Sequence, residues 1–208
     1  MKKILVLIVA ASCLLVSCQK EGGSNDSNED DDIAKYIEDH GFRNACIFHY
    51  DRNHDGKISK QEAKEITQIQ SGANSLRGIE YFPMLNYLRC PGCQLTNLDV
   101  SKNKELYMLY CHKNRLNSLD VSKCTKLNTL DCHSNQLTSL DISKNSELSY
   151  LYCYDNQLTS LDVSKNKALV ALQCGSQKGT LTVYYSAGQP INDWSLSPSN
   201  KGVTWKQK

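Results

Sequence analysis

Apolar side chains recur along most of this chain at positions 21 residues apart. The shared frame is L-x-x-L-x-C-x-x-N-x-L-x-x-L-D-V-S-x-N, which holds six apolar or sulfur-bearing positions in each copy. The sulfur position is filled by Cys90, Cys111, Cys132, Cys153 and Cys174. A period of this length predicts one short coil built again and again, in which each coil buries its apolar face only against its neighbours.

Within one copy, the first apolar positions predict a short strand, and the later ones predict a return path that faces inward. Full copies begin at Leu85, Leu106, Leu127 and Leu148. A truncated copy begins at Leu169, and a shorter opening copy runs through Ile66, Ile69, Asn74, Leu76 and Ile79. Equivalent strands of stacked coils would lie about 4.8 Å apart, the spacing of hydrogen-bonded strands.

This pattern resembles the leucine-rich repeat, and the resemblance covers residues 66–178. It implies a repeat solenoid with short parallel β-strands on a concave face. It also implies that one asparagine column bonds inward to the backbone of neighbouring coils, since a buried amide is costly without partners. That column contains Asn114, Asn135 and Asn156, with Cys93 at its position in the first full copy and Gln177 in the last.

A second polar column holds one aspartate per coil: Asp99, Asp120, Asp141 and Asp162. We expect each carboxylate to accept a hydrogen bond from the N–H two residues on, which closes a turn. A parallel lysine column would offset the repulsion between the carboxylates, and it contains Lys102, Lys123, Lys144 and Lys165. A ladder of metal ions along the carboxylates is the alternative interpretation.

The chain has ten cysteines, and the repeat predicts that those of the ladder are free thiols. Stacked equivalents would have parallel Cβ vectors about 4.8 Å apart, whereas a disulfide needs Cβ atoms about 3.8 Å apart and turned toward each other. Cys90 and Cys93 form a C-x-x-C, but no βα unit surrounds it and no second C-x-x-C completes a zinc site. We expect Cys124, in the turn of its repeat, to be partly exposed.

The N-terminus resembles a bacterial lipoprotein signal over residues 1–17. Lys2 and Lys3 precede a 13-residue apolar run, which is too short to span a bilayer, and Ser17 stands before Cys18. The resemblance implies cleavage before Cys18 and a lipid anchor on that cysteine. The residues Gln19-Lys20-Glu21, followed by acidic side chains, also resemble the surface-export tags of outer-membrane lipoproteins, which implies a protein that faces the cell surface. An ordinary secretory signal and a periplasm-facing anchor are the alternatives. Residues 18–32 are acidic and lack aliphatic and aromatic side chains, so we expect a disordered tether.

Residues 51–62 fit the EF-hand calcium loop at every diagnostic position. The predicted ligands of Ca²⁺ are Asp51, Asn53, Asp55, the Lys57 carbonyl, Ser59 and Glu62. Gly56 permits the sharp turn that such a loop needs. An acidic turn without metal is the alternative. EF-hand loops usually occur in pairs and one loop is visible here, which predicts weak affinity for calcium, with a dissociation constant of about 10⁻⁴ to 10⁻³ M.

We predict that residues 33–70 form a helical cap over the first coil, because the terminal repeats of a solenoid need covering. The helix after the loop is expected to run from Ser59 to about Gln70. Residues 179–208 are predicted to form a β C-terminal cap. Leu181, Val183 and Tyr185 alternate like an edge strand, Val203 and Trp205 predict another strand, and Trp194 with Trp205 would plug the last coil.

The resemblance places the residues between the apolar strand positions on the concave surface. The candidate ligand-binding residues are Tyr87, Arg89, Tyr110, His112, Asp131, His133, Tyr150, Tyr152 and Tyr154. Exposed Tyr and Arg are favoured at binding hot spots, which indicates a protein ligand. A polysaccharide that stacks on the tyrosines is the alternative. Chelation of a metal by His112, His133 and Asp131 is a further one.

Outside the signal, 22 basic residues balance 22 acidic ones, so there is no electrostatic case for nucleic acid. The chain lacks G-x-S-x-G, H-E-x-x-H and phosphate-loop motifs, and we expect no enzymatic activity. The sequence therefore predicts a monomeric, lipid-anchored, calcium-stabilised repeat protein that binds a protein partner, as in adhesion.

Overall fold

The computed structural model describes residues 31–191, 194 and 200–208. The predicted signal segment, Cys18 and the predicted tether as far as residue 30 lie outside the described residues. No helix within the described part combines the length and the apolar character needed to cross a bilayer.

A parallel sheet of six three-residue strands forms one side of a solenoid. The strands are β1 (Gln68–Gln70), β2 (Tyr87–Arg89), β3 (Met108–Tyr110), β4 (Thr129–Asp131), β5 (Tyr150–Tyr152) and β7 (Ala171–Gln173). They pair in sequence order without a register shift, so that Leu88 lies opposite Leu109 and Leu109 opposite Leu130. The predicted stack of coils, including the opening copy, is confirmed.

The interior of the solenoid is built by the six predicted positions of each coil. In the first full copy these are Leu85, Leu88, Cys90, Leu95, Leu98 and Val100, and all six are buried. The equivalents in the next three copies are also buried, so one elongated apolar core runs through the array. Asn74 departs from the prediction, because its side chain is exposed and does not enter the asparagine column.

The asparagine column forms a buried ladder that ties each coil to the previous one. Asn135 Nδ2 donates to the carbonyl of Cys111 in the preceding coil (3.1 Å) and to that of Cys132 in its own (3.0 Å). Its Oδ1 accepts from the N–H of Leu116 at 3.0 Å. Asn114 and Asn156 repeat this pattern, and Gln177 completes it at the last coil. The predicted role of this column is confirmed.

A second amide ladder lies in the S-x-N turns, and the sequence analysis misses it. Asn145 Nδ2 donates to the carbonyls of Val121 (3.0 Å) and Cys124 (2.8 Å). Asn103, two coils earlier, and Asn166, one coil later, make equivalent pairs of bonds. Gln189 closes this ladder at the C-terminal end. Unlike the first ladder, its three asparagines leave Oδ1 buried without a hydrogen-bond partner in the described structure.

Cys124 replaces asparagine in this second ladder, and the prediction that it is partly exposed is wrong. Its side chain is buried, with Sγ 3.6 Å from the carbonyl oxygen of Val100 and 3.7 Å from that of Asn103. The thiol fills the place of an amide because the turn points this position into the core.

The eight cysteines of the described residues are all free and buried, as the repeat predicts for the ladder. Burial raises the pKa of Cys46 and of Cys174 to about 12. Burial also raises the pKa of Cys124 to about 12, with a smaller contribution from Asp120. These thiols therefore behave as small apolar side chains rather than as nucleophiles.

The aspartate column closes turns as predicted. Ser101, Ser122, Ser143 and Ser164 each donate a backbone N–H to the aspartate two residues earlier at 2.8–2.9 Å. These hydrogen bonds hold the pKa of Asp99, Asp120 and Asp141 below its ordinary value. Within the described residues, this column contains no cluster of carboxylates that could hold a metal ion, so the structure gives no support to the alternative of a metal ladder.

The N-terminal cap contains α1 (His40–Tyr50) and α2 (Lys60–Glu65). Asp39 caps α1, because its carboxylate accepts from the N–H of Phe42 at 2.8 Å. The predicted helix to Gln70 is wrong. It ends at Glu65, Ile66 is extended, and the carbonyl of Thr67 accepts from Asn86 and Tyr87, because pairing with β2 outweighs helix propensity here. Short 3₁₀ helices cover Ala34–Tyr36 and Ile79–Tyr81.

A second parallel sheet forms the C-terminal cap. It orders β6 (Ser160–Asp162), β8 (Leu181–Tyr185) and β9 (Val203–Gln207). The prediction that Leu181, Val183 and Tyr185 form an edge strand is wrong, because the return path of the fourth full copy supplies β6 as a further partner. The predicted strand through Val203 and Trp205 is confirmed as β9.

Trp194 plugs the last coil as predicted. It is buried, its Nε1 donates to the carbonyl of Val170 at 3.3 Å, and its ring lies 6.5 Å from that of Trp205.

Asn200 forms hydrogen bonds with the open edge of β7, the last strand of the six-stranded sheet. Its Oδ1 accepts from Cys174 N–H, and its Nδ2 donates to the carbonyl of Leu172.

We expect Asn135→Ala to lower the free energy of unfolding by about 2–4 kcal/mol, because it leaves one N–H and two carbonyls without partners in the core. Asn145→Ala should cost only about 1–2 kcal/mol, since its Oδ1 has no partner to lose. Urea denaturation measures both values. Asn117→Ala, at an exposed position, is the control and should change stability by less than about 0.5 kcal/mol. Equal losses at Asn135 and Asn145 would contradict the distinction between the ladders.

The native protein should react very slowly with a chromogenic disulfide reagent at pH 8, because burial keeps its thiols protonated. Unfolding in guanidinium without a reductant should expose the eight free thiols of the described residues to rapid reaction. A thiol count close to zero after unfolding would mean that the cysteines are paired.

Candidate functional site

The open face of the six-stranded sheet presents the residues on either side of each buried central leucine, because successive side chains of a strand point to opposite faces. The structure brings all nine predicted ligand-binding residues onto this face. We call them the recognition strip, and they are Tyr87, Arg89, Tyr110, His112, Asp131, His133, Tyr150, Tyr152 and Tyr154.

One end of the recognition strip is a group of two tyrosines and an arginine. The register places Arg89 opposite Tyr110, and the rings of Tyr87 and Tyr110 lie 5.7 Å apart. Burial raises the pKa of Tyr110, with Tyr87 and Asp131 adding to the shift, so its phenol remains a hydrogen-bond donor above neutral pH. Tyr110 also contacts Met108 Sδ through its hydroxyl at 3.9 Å, and the sequence does not single out this methionine.

Past the ends of β3, β4 and β5, the strip contains a column of three stacked rings. His112 and His133 are 4.5 Å apart with planes at 10°, and His133 and Tyr154 are 4.4 Å apart with planes at 9°. The spacing follows from the register, which repeats the same side-chain position once per coil. Each face of the His133 imidazole is therefore covered by a neighbouring ring, and the edges of the stacked rings face the solvent.

Asp131 holds the two histidines from one side. Its Oδ1 lies 2.5 Å from His133 Nδ1, and its Oδ2 lies 3.1 Å from His112 Nδ1 without hydrogen-bond geometry. Burial lowers the pKa of His112, Asp131 opposes this shift, and His133 adds to it. The His112 imidazole is therefore neutral at neutral pH, and the carboxylate of Asp131, only 13% exposed, is turned toward imidazole rather than solvent.

These three residues are the one group of three His, Cys, Asp or Glu side chains in the described structure whose ligand atoms lie within 4.8 Å of one another. The stacking nevertheless argues against chelation. The lone pair of an imidazole nitrogen lies in the ring plane, and nearly parallel planes do not direct two lone pairs at one point. A shared metal ion would require one ring to leave the stack.

The far end of the strip carries Tyr150 and Tyr152 on β5. Tyr150 is 41% exposed, and Tyr152 is half-buried beside Asp131 in the register. Thr129, directly opposite Tyr150, is buried. Thr129 and Asp131 of β4 thus separate two groups of tyrosines, and the histidine column lies beside both groups, past the ends of β3, β4 and β5.

The predicted calcium loop is folded around Asp51. Its Oδ2 accepts from Gly56 N–H at 2.8 Å, and its Oδ1 accepts from Asp55 N–H at 3.3 Å. Asn53 and Asp55 accept from the N–H groups of Asp55 and Lys57, two residues on. Gly56 has φ +79°, the left-handed conformation that the turn requires.

Glu62 closes the loop from its other end. Its Oε1 accepts from Arg52 N–H at 2.9 Å, and its Oε2 accepts from Ser59 N–H at 2.8 Å, while Ser59 Oγ accepts from Glu62 N–H. Ser59 and Glu62 therefore form a capping box at the start of α2. Burial would raise the pKa of Glu62, but these hydrogen bonds outweigh it and hold the pKa below its ordinary value.

The segment before α1 pairs with this loop, and the described residues contain no second loop of the same kind. Asp32 forms an antiparallel bridge with Ser59, and Ile33 N–H donates to the carbonyl of Ile58 at 2.8 Å. Asp32 Oδ1 also accepts from Ile58 N–H at 3.2 Å. The sequence analysis places Asp32 at the end of the tether, whereas the structure pairs it with the loop.

The chain matches no protein-family model and no curated protein sequence. Its structure is similar to the functional domain of InlJ from Listeria monocytogenes, with 31% identity and a TM-score of 0.64 over 74% of this chain. That domain includes a cysteine ladder, and the match spans only 38% of its length.

The ectodomain of the receptor kinase GASSHO1/SCHENGEN3 from Arabidopsis thaliana, in complex with Casparian strip integrity factor 2, is also similar. Here the identity is 16% and the TM-score 0.52, over 71% of this chain and 19% of that one. This second likeness concerns the fold alone. The chain is thus a parallel β-solenoid of the leucine-rich repeat type, with a bacterial internalin-type domain among its structural neighbours.

Proposed function

We propose that this chain is a cell-surface binding protein that recognises a protein partner, as in adhesion, through the recognition strip. The observation that carries the proposal is the strip itself, in which five tyrosines, two histidines and an arginine stand in register on one open sheet face. Tyrosine and arginine are enriched at binding hot spots. The likeness to an internalin-type domain also supports recognition rather than catalysis.

The geometry of the rings favours a protein over a polysaccharide. Sugar rings pack against the flat faces of aromatic side chains. In the column of His112, His133 and Tyr154, neighbouring rings at 4.4–4.5 Å cover both faces of His133 and one face each of His112 and Tyr154. The column offers N–H, O–H and C–H groups at ring edges instead, and such groups suit the carbonyl and carboxylate oxygens of a protein segment.

We expect Tyr110→Ala and Tyr152→Ala each to weaken partner binding about tenfold or more, because each removes a large anchor from the strip. Tyr107→Ala is the matched control, since Tyr107 is 44% exposed and outside the strip. Partners captured on arrays of host proteins and of polysaccharides, followed by titration of each variant, give the measurement. Binding that survives both strip substitutions, or selective capture of polysaccharides, would overturn the proposal.

The anchor in this proposal is lipid on Cys18, which would hold the protein at the outer membrane with the solenoid facing outward. The support is the sequence alone: a basic start, a short apolar run and Ser17 before the cysteine. Several acyl chains on Cys18 would hold the protein firmly, whereas a single chain gives only reversible binding. The acidic tether would then set the distance between the membrane and the cap.

We infer that Asp51, Asn53, Asp55, the Lys57 carbonyl, Ser59 and Glu62 hold one calcium ion. All of these donors are oxygen atoms, which calcium prefers. The turn around Asp51 supports the inference, since it already gathers the first half of the loop. Glu62 would exchange a bond to Ser59 for the ion. The role would be structural, because only Ile66 and Thr67 separate α2 from the first strand of the solenoid.

Calcium at about ten times a dissociation constant of about 0.5 mM should raise the melting temperature by about 3–6 °C. Glu62→Gln should abolish most of this shift. It removes a charged ligand, and glutamine still fits the capping box. Glu65→Gln, outside the loop, is the control and should keep the shift. Identical melting with calcium and with chelator would refute the loop as a calcium site.

A further inference from the structure

The open sheet face carries few charges, and these are not equally accessible to a ligand. Among the strand residues that face outward, only Arg89 and Asp131 carry a formal charge. The oxygens of Asp131 lie against the two imidazoles, and its side chain is largely buried. Arg89 is exposed and forms no ion pair within the described part of the chain. Along the strands themselves, a ligand therefore meets one uncompensated positive charge.

The surroundings of Arg89 strengthen a contact with an anion. Tyr87 lies two residues earlier on the same face, and Tyr110 lies directly opposite on β3. Gln70, opposite on β1, is uncharged. Two aromatic side chains beside a guanidinium exclude part of the water around it, and a less hydrated pair attracts more strongly. The phenol of Tyr110 remains protonated and adds a donor for the same anion.

The chemistry of guanidinium selects among anions. Its planar fork donates two parallel N–H groups, which match the two oxygens of a carboxylate. No acidic side chain on β1, β2 or β3 competes for the fork, since their outward residues are glutamine, tyrosine, methionine and arginine. The charge pattern of this end of the strip is complementary to an aspartate or glutamate of a partner.

We propose that the partner segment bound by the recognition strip is acidic, and that one of its carboxylates pairs with Arg89 beside Tyr87 and Tyr110. This inference rests on the proposed function, because it assigns the chemistry of a partner to the strip. Neutral aromatic and histidine positions would then contact the rest of the segment. Arg89 fixes where along the strip the acidic side chain lies.

The test uses a displayed library of random peptides selected on the purified full chain. We expect the selected peptides to be enriched in Asp and Glu. Their affinity should fall about tenfold in Arg89→Gln and about threefold in Arg89→Lys, which keeps the charge but loses the fork. Lys144→Gln is the control, since it removes an exposed cation in an S-x-N turn away from the strip. Each variant is first checked for an unchanged melting temperature.

Salt provides a second readout. The affinity of the selected acidic peptides should fall as sodium chloride rises from about 50 mM to 500 mM, and Arg89→Gln should flatten this dependence. Amide versions of the peptides, with Gln for Glu and Asn for Asp, should bind to wild type and to Arg89→Gln equally weakly.

The outcomes separate the two claims. If selected peptides lose affinity in Tyr152→Ala but are neutral or basic, or are insensitive to Arg89→Gln, the inference is overturned and the proposed function stands. If the peptides are insensitive to every strip substitution, the proposed function fails and the inference fails with it. Acidic peptides that lose affinity in both Arg89→Gln and Tyr152→Ala support both.

Discussion

The buried amides that join successive coils are the interaction on which the rest of this molecule depends. A buried asparagine costs free energy unless its N–H and carbonyl groups find partners, and each such group left alone costs about 1–3 kcal/mol. In Asn114, Asn135 and Asn156 those partners are backbone groups of the same coil and of the coil before it. One register satisfies them. A slip by one residue would also turn the central leucine of each strand toward solvent.

The geometry of the recognition strip follows from the same constraint. Because the register does not shift between β2 and β5, side chains at equivalent positions line up along the array. Three equivalent positions after the strands become a stack of rings, and Asp131 in the middle strand reaches the histidines of its own coil and of the preceding one. The strip is thus a by-product of core packing. The side chains of the strip differ from coil to coil, whereas their positions are set by the packing of the core.

The 21-residue period predicts the number of coils, the six core positions and the members of the strip, because each depends only on repetition of one frame. Features that depend on which segments become neighbours are not predicted. Helix α2 stops at Glu65 because Thr67 meets the chain at Asn86 and Tyr87. Cys124 is buried because its turn points inward. Because this cysteine stands where the other turns have asparagine, it interrupts the pattern in the sequence, and the second ladder is not recognised from the pattern. The orientations of the ring planes in the column follow from side-chain rotamers, which periodicity does not specify.

The pairing of residues 32–33 with the loop has a mechanical consequence. The segment is joined to the loop of residues 51–62 by the hydrogen bond between Ile33 N–H and the Ile58 carbonyl before the chain enters α1. Tension applied to the chain ahead of Asp31 is therefore borne by this bridge and by the contacts of Asp32 before it reaches any coil. The cap would yield under load while the sheet and its binding surface kept their shape.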